Sequence, residues 1–170
     1  MNDNDTSKRG GIRILAIFTA ERGLCEEMLE LLHEEENALT RMDMKKIISL
    51  SVKKQDLANR IMAEERLFSD EACALVPEQG EGPVSLSAVA KAVGGPEGGE
   101  IREAGGMIAR LKEKIGLKNE VTREFIRSTL GYLGDAISIL TGPVAEDTAY
   151  HGRGMKKGAR RSPSMVSREV

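Results

Sequence analysis

The sequence predicts an all-α protein: an elongated antiparallel helical hairpin or bundle of three long helices plus a short connector helix, with a disordered C-terminal tail. Composition is the first observation behind this, since 40% of the 170 residues are hydrophobic but only 3% are aromatic and Trp is absent. Leu, Met and Ala are strong helix formers, and the aromatic content of sheets is missing. The second observation is apolar recurrence every seven residues, and the third is a single Gly- and Pro-rich break that divides the chain.

Residues 1–11 are polar and end in Gly10-Gly11, the pattern of a disordered lead-in. From Ile12 the first helix follows, with Ile17-Phe18, Leu24-Cys25, Leu31-Leu32 and Ala38-Leu39 one heptad apart and Met28 between them. A stripe two residues wide suits a bundle better than a narrow two-stranded seam. Glu26, Glu27, Glu30 and Glu34 occupy the intervening turns and read as a solvated face.

Near Arg41-Met42-Asp43 the pattern breaks, and Asp43 is placed to cap a second helix through its carboxylate. Either the two helices form an antiparallel pair there, or Asp43 is passed over and they run on as one. Ile47, Leu50, Leu57, Ile61 and Phe68 alternate three and four apart, interrupted by Lys54 and Glu64, and the pattern fades after Leu75.

Residues 77–99 hold six Gly and three Pro, which breaks any long helix. Within this connector Leu86, Val89 and Val93 share one face behind Ser85, predicting a short helix that docks on the hairpin. The segment Gly94-Gly95-Pro96-Glu97-Gly98-Gly99 reads as a flexible hinge, since neither a preceding strand nor a following Gly-Lys-Ser/Thr makes it a phosphate loop. The last long helix is expected over residues 100–141, with Ile101, Ile108, Leu111, Ile115, Phe125, Tyr132, Ala136 and Ile139 on one side and Gly142-Pro143 ending it. The domain reading is therefore a helical bundle over 12–142 and a basic flexible tail over 143–170.

The net charge of −2 conceals an asymmetry. Residues 151–170 carry six basic side chains against Glu169, whereas the first 150 residues carry 19 basic against 26 acidic, a net charge of −7. An acidic body does not suit binding of nucleic acid along the folded surface. Cys25 and Cys73 lie in helical patterns without metal-ligand spacing and read as reduced, buried thiols. The N-terminus lacks the basic start and apolar stretch of a signal peptide, and no apolar run could cross a bilayer, so a cytoplasmic location without stable membrane insertion is expected.

No arrangement for catalysis stands out. Glu30-x-x-His33 is half of a di-iron helix motif, but His151 is the only other histidine, so a solvated acidic face is the simpler reading. Neither a Ser/His/Asp nor a Cys/His set is present. Met28, Met42, Met44, Met62 and Met107 suit an adaptable surface, although core packing accounts for most of them. Cofactors and metals are not expected.

Several segments resemble one known family. In the hairpin they are Leu31-Leu32-His-Glu-Glu-Glu-Asn-Ala-Leu39, Asp43, and Lys54-x-x-Leu57-x-x-x-Ile61 leading to Glu65-Arg66. Sharper is Asn119-x-x-Thr122-x-x-Phe125-Ile126-x-x-Thr129-Leu130-x-Tyr132, with Tyr150-His-Gly152 beyond it. From residue 12 to 154 the chain resembles the FlgN-like chaperones of flagellar export, with Thr122 in place of the second Asn of the family pattern and Thr129 in place of its Ser. The resemblance implies a chaperone that holds hook-associated (hook-filament junction) proteins, prevents their premature assembly and aids their delivery to the flagellar type III export apparatus. It implies a protein-binding region toward the C-terminus, here Asn119, Phe125, Tyr132, Ile137, Leu140, Tyr150 and Gly152. The rival reading from the residues alone is a generic coiled-coil scaffold or oligomerisation protein, and a second is a nucleic-acid-associated protein that uses the basic tail.

Overall fold

A computed structural model describes residues 3–76 and 84–141, with side chains described from Ser7 to Val76 and from Val84 to Leu140. Four helices follow one another: α1 (Asp3–Thr40), α2 (Met44–Leu75), α3 (Leu86–Val93) and α4 (Gly95–Thr141). Among the described residues there is no strand. The chain divides into two units, Met1–Arg127 and Ser128–Val170. The first contains the hairpin, α3 and most of α4; the described part of the second is the last stretch of α4.

The hairpin is antiparallel and not one continuous helix, because α1 stops at a two-bond cap. Met42 N–H donates to the Leu39 carbonyl and Asp43 N–H reaches back to the Ala38 carbonyl, each at 3.0 Å. Met42 takes the left-handed conformation this cap requires, with φ 54°, at a position usually given to Gly. Asp43 then caps α2, its Oδ1 accepting from the Lys46 N–H at 3.0 Å. Ser85 caps α3 in the same way through Ala88 N–H at 3.2 Å.

Two expectations are corrected at the ends of helices. Residues 3–11 are not a disordered lead-in but the first turns of α1. Gly10 and Gly11 are close-approach sites: a Cβ on Gly10 would lie 2.6 Å from Leu75 Cδ2, and one on Gly11 would lie 2.7 Å from Val93 Cγ1. The Gly94–Gly99 segment is likewise no hinge. Gly94, at φ 67°, caps α3, and α4 begins at Gly95. Pro96 falls in the first turn, where its missing N–H costs nothing. Gly98 packs on the backbone of α3 so closely that a Cβ there would collide with the Ala90 carbonyl oxygen.

The core has two apolar clusters. Ile14, Phe18, Ala72, Val89, Ala90, Ile101 and Ile108 join all four helices at one end, with the Phe18 and Phe68 rings 5.0 Å apart. Leu24, Met28, Leu31, Leu32, Ala38, Leu50 and Leu57 fill the hairpin toward its turn, with Ile115 of α4 packed against them.

Along α1 the buried seam runs Ile14, Phe18, Glu21, Cys25, Met28, Leu32, Glu35 and Leu39, spaced four and three throughout. Two carboxylates thus occupy core positions, and each is answered by a lysine from another helix. Lys112 of α4 meets Glu21 at 2.5 Å and Glu65 at 2.6 Å. Lys54 of α2 holds both oxygens of Glu35, at 2.8 and 2.6 Å. A third pair, Lys118 with Glu36 at 2.8 Å, ties α4 to α1 on the flank. Lys54, which interrupts the apolar pattern of α2, is therefore the counterion of a buried acid.

Candidate protein-interaction surface

Of the residues expected to bind protein, Asn119 lies inside the bundle. It is half-buried, its Oδ1 3.5 Å from the Lys54 ammonium, and it lines an open groove of about 430 Å³ between α2 and α4. Met28, Ala58, Ile61 and Ile115 give this groove apolar walls, and Lys54, Lys112 and Glu65 give it charged ones. One helical turn on, Thr122 is buried with its hydroxyl unpaired.

Phe125 is exposed in the first unit, flanked by the Arg123–Glu120 and Arg127–Glu124 pairs at 2.7 and 3.2 Å. In the second unit Tyr132, Ile137 and Leu140 are exposed, Tyr132 by 77% and Leu140 by 85%. Tyr150 and Gly152 lie outside the described residues. Leu130 and Leu133 are exposed as well, and they complete what sequence reasoning named only in part: Leu130, Leu133, Ile137 and Leu140 recur three and four apart along one helical face. The signal was in the sequence, in the spacing that relates Leu130 and Leu133 to Ile137 and Leu140. A helix rarely leaves four large aliphatic side chains on one stripe in water, which makes this stripe the candidate interaction surface.

The electrostatics near Lys112 hold charge in place. Burial pulls the Lys112 pKa down, but the hydrogen bonds it donates to Glu21 and Glu65 outweigh it and leave the ammonium harder to deprotonate than usual. Burial, reinforced by the Glu21 charge, pushes the Cys25 thiol up. Cys25 is buried as expected, whereas Cys73 is exposed, which corrects the reading of two buried thiols. Lys118 chiefly, through its hydrogen bonds, holds the Glu36 carboxyl below its usual range.

Glu30 and His33, the half motif for a metal, sit on the exposed side of α1, with His33 Nδ1 3.6 Å from Glu36 Oε2. Among the described residues no group of three or more His, Cys, Asp or Glu side chains is gathered for a metal ion.

The family model described as FlgN protein matches residues 12–158, which covers α2, α3, α4 and α1 from Ile12 onward. The chain belongs to the FlgN family. FlgN proteins are flagellar export chaperones, so membership places this chain among the chaperones of flagellum assembly. The paired helices and exposed heptad-spaced stripe suit a FlgN protein, whose work is to hold other chains. No curated protein and no solved structure matches the sequence. Among the described residues no helix is long and apolar enough to cross a membrane.

Proposed function

We propose that this FlgN-family chain binds hook-filament junction (hook-associated) proteins in the cytoplasm, keeps them from assembling early, and passes them to the flagellar type III export apparatus. The observation that carries the reading is the stripe of Leu130, Leu133, Ile137 and Leu140 at the end of α4. An amphipathic helix of an unassembled client would lay its own apolar face on such a stripe. Residues 12–142 form the chaperone body in this reading, and the basic tail over 143–170, with Tyr150 and Gly152, closes over the client. Ordering a tail on contact uses part of the interaction energy, which keeps affinity moderate and allows release at the export apparatus. Neither catalysis nor nucleic-acid binding has a part in it.

The test is titration of the full chain with peptides spanning the helical termini of hook-filament junction proteins. The double variant Leu133→Ser/Leu140→Ser removes two large aliphatic side chains and is expected to weaken binding by at least about tenfold, with helix content unchanged. Unchanged affinity overturns the placement of the site, and absence of binding by the parent chain overturns the reading itself.

The spacing of the same stripe supports one rival, a coiled-coil scaffold in which two copies pair along it. Sedimentation equilibrium separates the two: the chaperone reading expects a monomer that takes up client, the scaffold a concentration-dependent dimer lost in Leu133→Ser/Leu140→Ser.

A further inference from the structure

The tip of the hairpin departs from the rules of a stable helix in three ways at once. Met42 occupies a left-handed cap position at φ 54°, where glycine would relieve the backbone and remove the side chain. The first turn of α2 has no acidic residue and instead carries Lys45 and Lys46, two cations at the positive end of the helix dipole. Met44, Ile48 and Val52, spaced by four, are exposed on the side of α2 away from the core, Ile48 by 63% and Val52 by 69%. Helix stability alone would select none of the three. Local rules broken together in one place mark a functional surface.

Only part of the positive charge there is used inside the bundle. Lys46 pairs with Glu34 at 3.1 Å and Lys54 with Glu35, but Arg41, Lys45 and Lys53 have no carboxylate partner among the described residues. Lys45 lies one turn before Ile48 and two before Val52 on the same side of the helix, Lys53 borders that side, and Arg41 adjoins Met42 at the turn. The patch is therefore a small apolar knob with three cations on its rim, and the one acid within it, Asp43, is engaged in capping α2.

The geometry points to docking of this hairpin tip on an anionic lipid bilayer, with Met42, Met44, Ile48 and Val52 entering the headgroup boundary and Arg41, Lys45 and Lys53 on lipid phosphates. Charge complementarity selects this occupant, since a basic rim around an apolar insert is the pattern of an interfacial membrane contact. The length of the patch argues against a second helix, because at 1.5 Å per residue Met44 to Val52 spans only about 12 Å before Asp56 and Asn59 end it. Pairing of two helices needs an apolar seam sustained over several heptads. Docking would hold the chaperone at the membrane surface, without insertion of a helix, and it uses side chains separate from the α4 stripe.

Flotation of the full chain with vesicles tests this, comparing phosphatidylcholine alone with phosphatidylcholine containing roughly one-third phosphatidylglycerol. Binding to the anionic vesicles only is expected. Ile48→Ser/Val52→Ser should lower it about tenfold through lost apolar burial. Arg41→Gln/Lys45→Gln/Lys53→Gln should lower it about a hundredfold, at roughly fivefold per cation. All substituted side chains are exposed, and unchanged circular dichroism checks the fold. If both variants float as the parent does, the C-terminal basic residues carry the binding and the proposal is overturned. It is equally overturned if the parent fails to float, or if it self-associates through the patch in a manner abolished by Ile48→Ser/Val52→Ser. Client-peptide affinity of both variants is expected to stay at the parent value, so failure here leaves the proposed function standing.

Discussion

The Lys112 ammonium lies 2.5 Å from Glu21 and 2.6 Å from Glu65, so one cation of α4 is shared between a carboxylate from each arm of the hairpin. Glu21 is only 2% exposed and has no other charged partner among the described residues. Lys112→Met should therefore destabilise the protein by about 2–3 kcal/mol, below the 3–5 kcal/mol of a sealed pair because the Lys112 side chain is 37% exposed. Glu21→Leu/Lys112→Met removes both charges and should recover most of the loss. Urea denaturation of the two variants decides it; equal losses would mean that packing, not charge, sets the cost.

Thr122 offers the opposite experiment. Its hydroxyl is buried and unpaired, so Thr122→Val keeps the shape and discards the uncompensated group. Stability should rise by about 1 kcal/mol, measured as a higher denaturation midpoint at unchanged m-value.

The glycines of α4 separate into two kinds. Gly98→Ala drives a methyl group into the Ala90 carbonyl and should cost about 2–3 kcal/mol. Gly116→Ala meets nothing within 4 Å and should stabilise by about 1 kcal/mol through helix propensity. Thermal unfolding should move in opposite directions for the pair.

Alkaline pH should weaken the fold from about pH 9 upward. Cys25 and Lys112 both hold their protons more tightly folded than unfolded, starting from ordinary values of 9.0 and 10.5. The folded state therefore binds more protons than the unfolded one, and stability present below those values is lost as pH rises through the raised ones. Denaturant midpoints across pH 8 to 11 should fall. In Glu21→Leu/Lys112→Met the decline should be shallower, since the lysine is gone and the thiol no longer feels the carboxylate.

Much of the fold was legible in the sequence because helical periodicity and capping act locally. Asp43 and Ser85 declared their caps, and the seven-residue recurrence declared the hairpin. What was not legible depended on partners distant in the chain. Glu35 sits in a run of three glutamates that reads as solvent-facing until Lys54 is placed against it, and Gly10 reads as a boundary until Leu75 is placed beside it. The exposed end of α4 was legible through the family resemblance, which named Ile137 and Leu140, whereas the inward position of Asn119 needed α2 in place.

The polar residues in the seam also fix how far along the hairpin α4 can sit. On α4 the inward positions run Ile101, Gly105, Ile108, Lys112, Ile115, Asn119 and Thr122, so the isoleucines repeat every seven residues. A slip of α4 by one heptad would return isoleucine to isoleucine and lose little apolar contact. It would not return the charges: Gly105 or Asn119 would face Glu21, and a buried acid would be left without its cation. The isoleucines by themselves do not tell one heptad from the next; the lysine does.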